Sequence, residues 1–160
     1  MHKLIAATLF TFALGEPSLY ASSSIDIGLG ITRGGTAIGG AYNSKSSSKH
    51  SYGGYLRMIP KNEDSSSAQD GITSISGCFK GQLNAGATKI YGIAGASVLM
   101  LNPVSGDSET AIGPTLGFGM LHRLNKGIAL GIDYLSHTAW NGDSKGRTFT
   151  STLLVANVSI

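Results

Sequence analysis

Charge is scarce in this chain. Charged residues make up 13% of the 160, about half the roughly 25% of ordinary soluble domains. Net charge is +3, and the Lys and Arg residues form nothing longer than scattered pairs such as Lys45 and Lys49. That argues against a basic binding patch and against a nucleic-acid partner. Cysteine is almost absent. The only one is Cys78, so an intrachain disulfide is excluded, and Cys78 reads as a small core or interior-facing residue. Long apolar runs are missing too. The longest internal candidate, Ile90–Leu101, contains two glycines and falls short of the roughly 18 residues that argue a membrane-spanning helix. A membrane protein of this composition has to cross with strands. Metal and nucleotide signatures are lacking as well. His2, His50, His122 and His137 are dispersed without ligand spacing. The Gly-x-Gly pairs at Gly28–Gly30 and Gly117–Gly119 lie in strand patterns with no following helix. No cofactor, metal or catalytic residue is assigned.

Glycine, by contrast, is abundant. There are 23, about twice the usual share of roughly 7%, and they alternate with large apolar residues. In Thr115–Trp140, Leu116, Phe118 and Met120 oppose Thr115, Gly117 and Gly119. After a tight Asn125–Gly127 turn, Ile128, Leu130, Ile132 and Tyr134 oppose Ala129, Gly131, Asp133 and Leu135. A period of two means β-strand, because successive Cβ atoms point to opposite faces. One face is large and apolar, and the other is mostly tiny or polar. This suits a strand whose large face meets lipid and whose thin face lines a narrow interior.

The same pattern recurs along the chain. Residues 24–33 place Ile25, Ile27, Leu29 and Ile31 on one face, and Gly34-Gly35 reads as a turn. Residues 36–43 follow, and then a polar segment over Ser44–His50. Residues 51–59 put Tyr52, Leu56 and Met58 opposite Tyr55 and Arg57, and Pro60 ends the strand. Lys61–Gly71 is a strongly polar loop, expected to be mobile. Residues 72–83 put Ile75, Phe79 and Leu83 opposite Ser76, Cys78, Lys80 and Gln82. Residues 88–101 are apolar on both faces, so periodicity leaves their facing open. Asn102–Glu109 and Asn141–Gly146 are further polar loops, and residues 147–160 form the last strand. The count is eight, the smallest even number typical of bacterial outer-membrane barrels. Strand lengths bracket the roughly 9–11 residues a transmembrane strand needs. With both termini periplasmic, most of the long loops lie outside and most of the short turns inside. The first hairpin departs from this asymmetry, with Gly34-Gly35 as a very short outer loop and Ser44–His50 as a long inner turn. Pro114 cannot donate to a ladder, and is placed above the membrane near the outer rim. Trp140 falls where a strand meets an outer loop, as in the aromatic girdles of barrels.

The thin faces collect Asp26, Arg57, Lys80, Arg123 and Asp133, which predicts a charged, filled interior, because eight strands leave room only for side chains. At the start of the chain, Met1-His2-Lys3 followed by the apolar Leu4–Leu14 and a small residue at Ala21 reads as a cleaved signal peptide over 1–21. Residues 22–160 are then the barrel.

Three stretches carry a resemblance: Tyr91–Ala96 (YGIAGA), Gly113–Leu124 (GPTLGFGMLHRL) with its Asn125-Lys126-Gly127 turn, and Ile128–Tyr134 (IALGIDY). As a layout, the chain resembles the small outer-membrane β-barrel proteins of the OmpX/Ail and opacity-protein type. The resemblance implies an all-β, eight-stranded antiparallel up-and-down transmembrane barrel in the bacterial outer membrane. It also implies contact with outer-membrane lipids and the barrel assembly machinery, a monomer, and a non-enzymatic role through surface loops in adhesion or envelope integrity. Such barrels usually end in an aromatic residue; this chain ends Asn157-Val158-Ser159-Ile160, keeping the alternation without the aromatic. A lipid A deacylase-like barrel is the enzyme alternative. It would pair a His with a Ser two residues away, but that position after His137 is Ala139, and Ser136 is adjacent. A secreted soluble barrel holding a small apolar ligand is the third reading. It would need the large residues inside, the reverse of Ile128–Tyr134.

Overall fold

The computed structural model describes residues 23–32, 34–45, 47, 49–64 and 68–160. The expected signal peptide lies outside the described residues. Eight strands run in order: β1 (Ser23–Thr32), β2 (Gly35–Lys45), β3 (His50–Ile59), β4 (Gly71–Ala85), β5 (Thr88–Asn102), β6 (Glu109–Arg123), β7 (Ile128–Thr138) and β8 (Thr148–Ser159). Each pairs antiparallel with the next, and β8 returns to β1 to close the barrel. The seam is finished by a reciprocal pair of backbone bonds, Ser23 N to Ile160 O (3.1 Å) and Ile160 N to Ser23 O (2.8 Å). Closure leaves no strand edge, as a wall in lipid requires. Pro60 and Pro103 follow directly after β3 and β5, so both strands stop where the next residue cannot extend a ladder.

The apolar faces point outward as the alternation predicts. Ile27, Leu29 and Ile31 on β1 are 66–69% exposed, and Leu116, Phe118 and Leu154 are 61–67% exposed. At about 25 cal/mol per Å² of apolar surface, leaving such a belt in water would be costly. In hydrocarbon it costs nothing. Among the described residues no helix is long and apolar enough to cross a membrane.

β5 resolves the strand whose facing periodicity left open. Tyr91, Ile93, Leu99 and Leu101 point inward and are buried, while Gly92, Ala94 and Ala96 face outward. The interior is therefore not uniformly thin. It is built of large–small pairs across neighbouring strands. Tyr91 is the register partner of Gly119, Leu135 of Gly117, Arg57 of Gly39 and Cys78 of Gly95. A Cβ on Gly119 would strike the Tyr91 ring, one on Gly117 the Leu135 side chain, and one on Gly39 the Arg57 guanidinium. The excess of glycine makes room for these inward side chains at close-packed density.

Two features differ from the sequence expectation. Ser44–His50 is not a long turn: Ser44 pairs with Tyr52 and Lys45 with Ser51, leaving only residues 46–49 between strands. Polar side chains at the mouth of a barrel do not stop the backbone from pairing. Pro114, expected above the membrane near the outer rim, lies inside β6, opposite Ala96 of β5. On its other side the β6–β7 ladder stops at Thr115–His137. Two residues earlier, Ile112 gives its N–H to Asn141 Oδ1 (2.7 Å) and accepts from Trp140 N (2.8 Å), both in the β7–β8 loop. Proline thus sits where one ladder gives way to a loop, the position at which its missing N–H is least harmful.

Candidate functional site

The two ends of the barrel are unlike. One end carries Ser23 and Ile160, where the described chain begins and ends, and the connections between β2 and β3, β4 and β5, and β6 and β7; we call it the turn end. The other carries 33–34, 60–70, 103–108 and 139–147; we call it the loop end.

At the loop end the polar segments are tied to one another. Asn62 and Gln69 pair through their backbones (2.9 and 2.8 Å). Their side chains clamp the short β1–β2 connection. Gln69 Oε1 accepts from Gly34 N (2.8 Å) and from the Thr32 hydroxyl, and Asn62 Nδ2 donates to Gly34 O (3.0 Å). Asp70 then links three loops, accepting from Val104 N (2.8 Å) with one oxygen and pairing with Arg147 through the other. Glu109 accepts from Asp143 N (2.8 Å) and Ser144 N (2.9 Å). Gly142 and Gly146 supply positive φ of 76° and 83° in the β7–β8 loop, which other residues adopt at a cost. Lys61 Nζ lies 2.8 Å from Glu63 Oε1, and the hydrogen bond and charge hold that carboxyl below its usual range. The Lys61–Gly71 segment, expected to be mobile, is therefore anchored at its described flanks. Polar composition signals exposure; it cannot show partners supplied by other loops. Replacing Asp70 with Ala should release the β5–β6 and β7–β8 loops, read as faster protease cleavage there. Global stability should fall by no more than about 1 kcal/mol, since exposed pairs are worth roughly 0.2–1 kcal/mol.

The interior holds three polar groupings. Asp26 accepts from Asn43 Nδ2 (2.9 Å) and Asn157 Nδ2, with Lys80 Nζ at 3.5 Å; Tyr55 donates to Asn43 Oδ1 (3.0 Å). Lys80 Nζ also lies 4.2 Å from the Tyr91 ring centroid, a cation–π distance. Arg57 pairs with Asp133, both at most 3% exposed, while Arg57 Nε and Asp133 Oδ1 have no hydrogen-bond partner among the described residues. His137 contacts Thr115 Oγ1 (3.0 Å) and Ser74 Oγ (3.3 Å). The expected interior set is thus found except for Arg123. That residue ends β6 on the inward parity but at the rim, where it is exposed. Its charge stays hydrated there, avoiding a large burial cost. Cys78 is buried and faces inward, as expected.

Sequence spacing missed the Ser74–His137 contact, because the partners lie on different strands, 63 positions apart. Ser136 and His137 fall on opposite faces of β7, so the adjacent pair cannot meet. Ser74 and His137 are 0% and 2% exposed, sealed from water and lipid. A hydroxyl beside a base is chemically suggestive, but no substrate reaches this one. With Tyr55, Leu99, Leu135 and Leu153 also at most 1% exposed, side chains fill the barrel at these levels. Planar-bilayer recordings should accordingly show no conductance on the scale of general porins.

No family model matches the chain, and no curated protein matches it in sequence. Solved structures do. The N-terminal β-barrel domain of Pseudomonas aeruginosa OprF superposes with a TM-score of 0.69 at 9% identity, covering 87% of this chain and 97% of that one. Yersinia pestis Ail in a phospholipid bilayer nanodisc gives 0.59 at 14%, covering 88% and 99%. Neisserial surface protein A gives 0.57 at 14%, covering 88% and 94%. Identities this low speak to architecture alone. The chain has the fold of the small eight-stranded barrels of the bacterial outer membrane.

Proposed function

We propose that this protein is a non-enzymatic, monomeric integral protein of the bacterial outer membrane that acts through its loop end, in adhesion or envelope integrity. Residues 1–21 serve as its export signal, the assembly machinery inserts it, and its termini face the periplasm. One observation carries the reading: a continuous exposed apolar wall around a filled interior, crowned by loops braced through Asp70 and Glu109. Loops held by a rigid scaffold are where recognition usually resides. Ail is named the attachment invasion locus protein and has been solved with a heparin analogue. The loop end here carries Glu63, Asp64, Asp70, Asp107, Glu109 and Asp143 against Lys61, Lys145 and Arg147 among its described residues. That balance disfavours a sulfated polyanion and favours a cationic or neutral partner.

The enzyme alternative is disfavoured by the sealed His137, and the soluble ligand-carrier by the outward placement of the large residues. The test is to shorten the three long loops to tight turns in one variant, keeping the strands. Cell adherence, resistance to detergent, or both should fall to the level of cells lacking the protein, while the barrel still migrates as a folded species on unheated gels. Unchanged adherence and unchanged detergent resistance would overturn the reading. Lipid A from cells with and without the protein should be identical; a missing acyl chain would restore the enzyme.

A further inference from the structure

The turn end has a chemistry of its own. Lys45 ends β2, Lys89 lies at the start of β5, Arg123 ends β6, and Lys126 sits in the β6–β7 connection. They are far apart in sequence, which is why the scattered Lys and Arg residues argued against a basic patch. Barrel closure brings them to one mouth, and that expectation is corrected here. All four line a single cavity of about 210 Å³, with Lys80 at its floor. No Asp or Glu lines it. Lys80 is held by Asp26. The other four cations have no ion pair among the described residues. Among the described residues the loop end carries an acidic excess, so their charge is segregated along the barrel axis.

We propose that this vestibule binds an oxyanion of the phosphate class, either free or as a phospholipid headgroup of the adjoining leaflet. Unneutralised cations around one concavity repel each other, and a multivalent anion among them relieves that repulsion. The cavity falls below the roughly 300–1,000 Å³ that takes drug-sized ligands, which fits one headgroup-sized anion. The cations come from two sides of the mouth, Lys89, Arg123 and Lys126 from the adjoining β5–β7 side and Lys45 from β2 across it. A tetrahedral phosphate offers oxygens in both directions, whereas a carboxylate offers two in one plane. Arg123 brings the fork that suits a bidentate phosphate contact, and the lysines bring point charges. Ser51 adds an uncharged hydroxyl to the lining, while the lining Asn43 and Asn157 hold Asp26 behind it.

The experiment uses the refolded full barrel with isotope-labelled amides. Inorganic phosphate is titrated against chloride at matched ionic strength in micelles. In a second arm the protein sits in phosphatidylcholine nanodiscs with or without phosphatidylglycerol. Saturable shifts confined to residues 86–89 and 123–128 are expected with phosphate, with phosphatidylglycerol, or with both. Phosphate alone identifies a soluble ligand, and phosphatidylglycerol alone a headgroup. Combining Lys89→Gln, Arg123→Gln and Lys126→Gln should weaken the response about tenfold or more, as expected for deleting several charge-assisted contacts. Equal effects of chloride and phosphate together with no phosphatidylglycerol response would overturn the proposal. So would undiminished binding by the triple variant. Neither result touches the loop-end function, which lies at the opposite mouth.

Discussion

Replacing Arg57 with Ala destabilises the barrel by about 3–5 kcal/mol, the cost of leaving a buried charge without its partner. Asp133 is 1% exposed and its second oxygen has no hydrogen-bond partner among the described residues, so removing the guanidinium strips the carboxylate of its one direct ion pair. Gly39 lies against the Arg57 side chain, so truncation also opens space on the β2 side. The complementary variant is the more informative one. Changing Arg57 to Met and Asp133 to Leu together removes both charges and keeps volume. Its stability should return to that of the unaltered protein or exceed it, because well-packed apolar replacements of buried pairs are often neutral or stabilising by about 1–4 kcal/mol. Urea unfolding of the refolded protein in phospholipid vesicles measures both. Equal losses in the single and double variants would show that the pair contributes through shape rather than charge.

The second large effect lies on β7, on the face opposite Asp133. Ile132 is 48% exposed near the middle of β7 and belongs to the apolar belt. An Arg there should cost about 2–4 kcal/mol at the bilayer midplane. The same substitution at Ile128, the first residue of β7, should cost about 0–1 kcal/mol, since the penalty falls toward the interface. The difference between the two sites is a depth gauge for the wall. In a water-exposed wall both changes would be close to neutral, because surface substitutions typically fall within about 0.5 kcal/mol.

Much of this architecture is legible in the residues themselves. On β1, β4, β6 and β7 the period-two alternation places Ile27, Ile75, Phe118 and Ile132 outside and Asp26, Ser76, Thr115 and Asp133 inside. A face bounded by lipid and a face bounded by a narrow interior impose different sizes, and that difference shows in one dimension. β5 has no such contrast. Its inward Tyr91 and outward Ile90 are both large, and only cross-strand partners such as Gly119 decide the facing. Those partners are properties of the pair, not of the segment. The same limit applies to the sites. Along the chain His137 has Ser136 beside it and Ala139 two positions on, yet Ser74 reaches it from three strands away. Asp70 reads as one polar residue in a polar loop until Val104 and Arg147 come to it. Lys45, Lys89, Arg123 and Lys126 look dispersed because the chain returns to the same mouth only once per hairpin. Closure creates what spacing along the chain cannot show.

The central claim is that the large side chains face hydrocarbon. Nitroxide labels at Leu130, Ile132 and Leu154, in a Cys78→Ser background, test it most directly. Their collision rates are measured in vesicles with oxygen, which concentrates in lipid, and with a water-soluble nickel chelate. Oxygen should dominate at all three sites. A predominance of the nickel chelate would place this face in water and contradict the membrane barrel.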